Sequence, residues 1–272
     1  MARKRKKSRT GKRLLKIILC IVIALIATQW LPTKTIAMNG ESYYENDILI
    51  PRFTQPTKSQ VIEHTGYTVS YNEQRRNPNW VAYELTAKEV AGEEPRASKF
   101  IPDPLVIGNQ ATDDDYRRSG WDRGHLAPAA DMKWSELAMD ESFYLSNISP
   151  QNNNLNRGVW KSIEELTREI ATRYENVLVV TGPVFTSEKG LGSIGENRVL
   201  IPNGFYKVLL INDNGYKGIG FYCENVAGKK KLATYARSID EIEELTDIDF
   251  FHKLPDEIED FVESGYDWSV WN

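Results

Sequence analysis

Between residues 121 and 168 the 272-residue chain gathers the side chains most able to do chemistry: Asp122-Arg123-Gly124-His125, Asn147, Gln151, Asn156-Arg157-Gly158, Glu164 and Arg168. Together they meet what hydrolysis of a phosphodiester requires. Water must be activated by a base whose pKa lies near neutrality, which singles out histidine. Charge gathering on the phosphate oxygens needs cations, and the planar arginine fork can contact two such oxygens at once. Asn156 offers a neutral carbonyl oxygen, a donor that a hard ion such as Mg²⁺ accepts while keeping most of its waters. Such a site needs neither cysteine nor a carboxylate cage, and the ion itself becomes the largest local positive charge. Of three histidines only His125 keeps this company. His64, in Val-Ile-Glu-His, and His252, after Phe250-Phe251, read as surface or packing residues.

These residues must be carried by regular elements. Trp160 to Tyr174 has good helix formers and an apolar stripe at Ile163, Leu166 and Ile170, so a helix is predicted there. Glu164 and Arg168 are four apart and share one face of it. Asn156 lies eight residues before Glu164, about 12 Å along a straight helix at the standard rise. Both cannot hold one ion directly from such a helix. Asn156 is therefore expected in the Asn- and Gln-rich loop Ser149–Asn156, with Glu164 reaching the ion through its waters. A second helix is expected from about Lys133 to Leu145. Asn79–Thr86 and Val177–Thr181 read as strands, and Gly204–Ile211 and Lys217–Cys223 as a hairpin around Asn212-Asp213-Asn214-Gly215. Residues 87–120 read as a long irregular connection. The acidic tail from Ser238 to Phe261 has apolar residues at helical spacing (Ile239, Ile242, Leu245, Ile248, Ile258, Phe261), its charges reading as a solvated face. The sum is an α+β domain, an antiparallel sheet flanked by helices.

Composition pulls the other way. Nine of the 34 basic residues fall in residues 1–16 and another is Lys34, whereas the first of the 38 acids is Glu41. The body after residue 40 thus has 24 basic against 38 acidic side chains, the reverse of the balance usual in proteins that bind polyanions. Nucleic acid could be held only at a local positive patch, helped by a bound cation. Cys20 and Cys223 stand far apart in sequence, and zinc-site spacings are absent. The N-terminus is polybasic over residues 1–13 and then apolar from Leu14 to Leu31, a pattern that sends the rest of the chain across a membrane. The eighteen residues are just long enough for a transmembrane anchor, and the apolar core Ile17–Ala27 also suits a cleaved signal. Residues 32–59 read as a linker and 60–272 as the catalytic domain.

Three blocks carry a family likeness: Asp-Arg-Gly-His-Leu-Ala-Pro-Ala-Ala-Asp at 122–131, Phe-Tyr-Leu-Ser-Asn-Ile-Ser-Pro-Gln at 143–151 and Asn-Arg-Gly-Val-Trp at 156–160. In order and spacing they resemble the DNA/RNA non-specific endonucleases, the ββα-metal (His-Me finger) group that includes Serratia nuclease and endonuclease G. Residues 164–168, 179–185 and 248–251 extend the likeness. It implies His125 as general base, Asn156 as direct ligand of Mg²⁺ or Mn²⁺, and Glu164 holding the ion's waters. Arg123 and Arg168 would stabilise transition-state charge, Arg157 would join them at the substrate, and Asn147 would order the site. DNA and RNA would both be substrates, cut to 5′-phosphate ends, because contacts to phosphate and sugar carry no base information. Phe143 departs from the Serratia-like branch, which has asparagine there. The family's upstream arginine could be Arg96, Arg117 or Arg118. Two rival readings are an inactive, membrane-tethered nucleic-acid-binding module and a phosphodiesterase acting on small substrates.

Overall fold

The computed structural model describes residues 37–38, 48–228 and 230–272. Its strands in chain order are β1 (Ala37–Met38), β2 (Arg52–Phe53), β3 (Gln60–Glu63), β4 (Thr68–Asn72), β5 (Asn77–Thr86), β6 (Asp122–His125), β7 (Ile148–Gln151), β8 (Asn176–Val184), β9 (Ser193–Ile194), β10 (Val199–Leu200), β11 (Gly204–Asn212), β12 (Tyr216–Glu224), β13 (Ala236–Arg237) and β14 (Ile248–Asp249). Eight of them form an antiparallel sheet in the order β1-β3-β4-β5-β8-β11-β12-β13.

Both faces of this sheet are covered, which explains why its central strands read as unbroken apolar runs and not as alternating ones. Val179, Leu209 and Ile219 meet the long helix Lys161–Tyr174 through its Ile163, Leu166 and Ile170. Val180, Val208 and Leu210 face the other way, toward Ile239 and Ile242 of the helix Ile239–Thr246, Phe250, Phe251, and Val262 of the helix Asp256–Glu263. The hairpin β11–β12 turns where predicted, with Asn214 and Gly215 in the positive-φ region.

Four expectations shift. From Ile48 onward the stretch read as linker belongs to the fold: Ile50 is buried in the second core and β2 pairs with β14. Its prolines pointed to a linker, but the Ile48-Leu49-Ile50 run has apolar surface to bury. The helix expected over 133–145 is only Glu136–Glu141. It ends because Ser142 turns the chain, its carbonyl accepting from Asn147 Nδ2 at 2.8 Å. The tail is two helices, not one stripe, parted by Asp247 at φ 56°, and Phe261 is left 76% exposed. Residues 87–120 carry two single-turn helices, Ala87–Val90 and Asp113–Tyr116, each with a threonine capping box. The segment Leu14–Leu31 lies outside the described residues. Among the described residues no helix is long and apolar enough to cross a membrane.

Candidate active site

The chemistry sits on a β-β-helix unit laid over the first face of the sheet. β6 and β7 pair antiparallel, Asp122 opposite Gln151 and His125 opposite Ile148. The ribbon is pinned to the sheet by Ser149 Oγ, 2.6 Å from Asn77 Oδ1 at the head of β5. Gly124 of the Asp-Arg-Gly-His run lies against the Gln151 side chain, and a Cβ there would run into it. Only glycine lets the ribbon close.

His125 is buried between Phe100 and Phe143, ring centroids 5.4 and 4.9 Å away. Burial, with Arg96 adding repulsion, pushes its pKa down to about 3. The imidazole is therefore neutral across the physiological range, though its pKa lies well below the near-neutral value expected of a general base. Phe143, the departure from the Serratia-like pattern, packs its edge on this ring and carries the Arg96 guanidinium 5.0 Å over its own face. Of the three upstream arginines, Arg96 is the one brought to the site. Arg117 pairs with Asp113 and Asp114 on the surface, and Arg118 is exposed in a left-handed turn.

Asn156 belongs to the wide turn Asn156–Trp160 that precedes the long helix, kinked at Gly158 (φ −109°, ψ −114°). It stands ahead of the helix proper, as the spacing argument required. Its Nδ2 donates to Asp122 Oδ2 at 3.0 Å, while Asn153 Nδ2 reaches Asp122 Oδ1 at 3.0 Å and Arg157 Nε reaches Oδ2 at 3.3 Å. A carboxylate takes only the amide nitrogen, so the Asn156 carbonyl oxygen is left for a hard cation. That donor fits Mg²⁺ or Mn²⁺ with most of their waters kept. Sequence reasoning did not assign Asp122 this holding role.

Asn147 is fully buried and saturated. Its Oδ1 accepts from Ala127 N at 2.9 Å, and its Nδ2 donates to Ala127 O at 2.9 Å and Ser142 O at 2.8 Å. It clasps the chain just after His125 to the turn after helix Glu136–Glu141 and has nothing left for substrate. The turn itself is braced from behind by His64, which reads differently from a surface residue. His64 is buried, its Nε2 lies 2.9 Å from Asp103 Oδ2, and Ser146 Oγ donates to that same oxygen at 2.6 Å. Burial opposes the His64 charge, but Asp103 and Glu141 outweigh it and raise its pKa.

The remaining predicted residues divide between the surface and a charged layer under the site. Arg123 shares the Phe100 ring with His125 and is ion-paired to Asp113, Nε to Oδ1 2.6 Å. Arg157 is exposed. Arg168 Nη1 bonds Asp131 Oδ1 at 2.7 Å, and Tyr83 donates to the other oxygen of Asp131 at 2.9 Å. Lys207 rises from β11 into the same layer, wholly buried, with Nζ 3.4 Å from Leu126 O and 5.3 Å from the Trp160 ring centroid. Burial shifts Glu164 up and Lys207 down, and their attraction opposes both shifts. Lys207 and Asp131 were not recognised as parts of this layer from sequence. The available signal was a lone lysine inside the apolar run Gly204–Ile211.

The chain is similar in sequence and fold to several known nucleases. Bovine Endonuclease G (mitochondrial) is 38% identical over 176 residues, covering 61% of this chain and 59% of that protein. Human Nuclease EXOG (mitochondrial) is 35% identical over 208 residues, 70% and 56% of the two chains. The chain thus spans a little over half the length of these two relatives. Nuclease C1 of Cunninghamella echinulata var. echinulata is 35% identical over 226 residues, 77% of this chain and 90% of its own. Among solved structures, that of the EndoG/EndoGI complex superposes with a TM-score of 0.68 at 30% identity, over 75% of this chain and 90% of that one. The family model for DNA/RNA non-specific endonuclease matches residues 45–257, and this chain belongs to that family.

Proposed function

We propose that the protein is a metal-dependent endonuclease that hydrolyses DNA and RNA without sequence preference, leaving 5′-phosphate ends. The observation that carries this reading is the double use of β6. One strand presents His125 as a neutral base and, through Asp122, fixes Asn156 with its oxygen free. In this scheme the His125 imidazole takes a proton from water as the water oxygen attacks phosphorus, and the 3′ oxygen departs. A divalent ion, when bound at Asn156, supplies positive charge to the phosphate oxygens and the departing oxygen. Arg123 exchanges Asp113 for phosphate, and Arg96, Arg157 and Arg168 add charge around it. Glu164 holds the ion's waters; burial raises its pKa to about 7, and the Lys207 and Arg168 charges oppose that rise. Asn147 acts by positioning.

The polybasic and apolar N-terminus supports export of the domain, either anchored by residues 14–31 or released after cleavage. Fractionation of expressing cells separates the two.

Purified protein incubated with plasmid DNA and with RNA, in Mg²⁺ and in EDTA, beside His125→Ala, tests the activity. Metal-dependent smearing of both substrates, lost in the variant, is expected. Equal activity of His125→Ala would overturn the mechanism, and an inert, folded wild type in both Mg²⁺ and Mn²⁺ would overturn the function.

A further inference from the structure

A second cluster lies on the far face of the sheet, among the helices Ile239–Thr246 and Asp256–Glu263. Here Asp240, Glu243 and Glu263 each bring one carboxylate oxygen within 4.8 Å of the others. The helices that carry them sit tightly on β12. A Cβ at Gly218 would meet Ile239 and Val262, and one at Gly220 would meet Ile242. The carboxylates are thus held at a packed junction and not scattered along a free helix face.

Two observations go beyond crowding of acids. Glu263 is only 6% exposed, and its Oε1 is buried with no hydrogen-bond partner. A buried carboxylate oxygen left unmatched is costly, so such a group takes up a proton or a cation. The groups acting on it electrostatically are all acids: Glu243, Glu259, Asp249 and Asp240. The nearby Arg52 is engaged with Asp249, Nε to Oδ2 3.1 Å. Glu243 uses Oε1 to accept from Phe250 N at 2.8 Å, which fixes its carboxylate.

We propose that Asp240, Glu243 and Glu263 bind one hard divalent cation of the Ca²⁺ kind, tying the two tail helices together. All three donors are carboxylate oxygens, with no nitrogen or sulfur, which disfavours zinc and copper. Their irregular grouping suits Ca²⁺, whose coordination is flexible, better than Mg²⁺, which demands a near-ideal octahedron. The site is structural and separate from Asn156, since the sheet lies between the two cores. Without a cation, burial and the neighbouring acids push Glu263 up to about 9. A protonated, metal-free cluster is therefore the competing arrangement.

The test uses the full chain carrying Asn156→Ala, so that the catalytic ion does not intrude. Calorimetric titration with CaCl₂ is expected to give one bound Ca²⁺ per chain. At a hundredfold excess over Kd the Tm should rise roughly 5–10 °C relative to EDTA at matched ionic strength. Adding Glu263→Gln should abolish both signals. Asp240→Asn, an exposed and fold-neutral change, should weaken binding at least tenfold. In the Asn156→Ala protein with Glu263 intact, absence of heat and of any Tm shift would overturn the proposal. So would Ca²⁺ binding that survives both substitutions unchanged.

Discussion

Burial keeps His125 neutral, and that has a cost in acid. Its folded pKa of about 3 lies below the ordinary 6.5. Between those values the unfolded chain holds the extra proton, so this residue's contribution makes stability fall as pH drops through that window. Replacing it with asparagine should flatten the acid limb of a Tm-against-pH curve between about pH 3 and 6.5. Nuclease activity should fall by about 10²–10⁴-fold, the usual scale for a lost general base. Asp122 makes a sharper test of the metal assignment. Asp122→Ala frees the Asn156 amide to turn, so the Mg²⁺ concentration for half-maximal activity should rise about 10–100-fold, as for other lost partners of a ligand. An unchanged Mg²⁺ requirement would remove Asn156 from its assigned role. The motif block made His125, Asn156 and Arg123 legible in the sequence. It did not expose the task of Asp122, because nothing in linear spacing ties residue 122 to residue 156.

The turn holding Asn147 shows the same logic at the level of elements. A helix end, a strand end and the buried His64–Asp103 pair converge on residues 142–147, and the sequence showed only the asparagine. His64 read as bland because its partners, Asp103 and Glu141, lie 39 and 77 positions away in the chain. Breaking the pair by Asp103→Asn should destabilise the protein by about 3 kcal/mol, since a buried charge is left uncompensated. The sign with pH follows from the raised pKa of His64. Its contribution is complete below the ordinary 6.5 and fades as pH rises through the folded value. Urea unfolding at pH 6 should therefore show a larger loss for this variant than unfolding at pH 9. The long helix and the β11–β12 hairpin were predictable from local pattern. The β6–β7 ribbon was not, because two four-residue strands with polar side chains carry little periodic signal.

At the scale of the molecule, the acidic body remains the oddest property of a protein that would bind polyanions. The candidate site carries a small cationic group, Arg96, Arg123, Arg157 and Arg168, of which the last three are paired with Asp113, Asp122 and Asp131. With four such contacts, log affinity against log salt should have a slope no steeper than about −4 for duplex DNA. Binding of labelled duplex to the His125→Ala protein measures it. A much steeper slope would mean an extended basic track that the charge distribution does not offer. The overall class, an antiparallel sheet flanked by helices, was legible from composition and turn signals. The burial of Lys207, Asp131 and Glu263 was not, since a charged residue in a sequence reads as solvent-facing until the chain is folded around it.

The double covering of the sheet also sets two clocks within one molecule. Amide hydrogens of β8 and β11 have packed side chains above and below, and neighbouring strands on either side. They can exchange with solvent only when the whole domain opens. The corner from Asn153 to Gly158 is held by a single core residue, Leu155, by amides bonded to Asn152, and by partly exposed side-chain bonds to Asp122. Its amides can exchange through smaller local openings than those of the platform. The corner that would hold the ion can thus yield repeatedly to a passing strand while the platform beneath it keeps its shape.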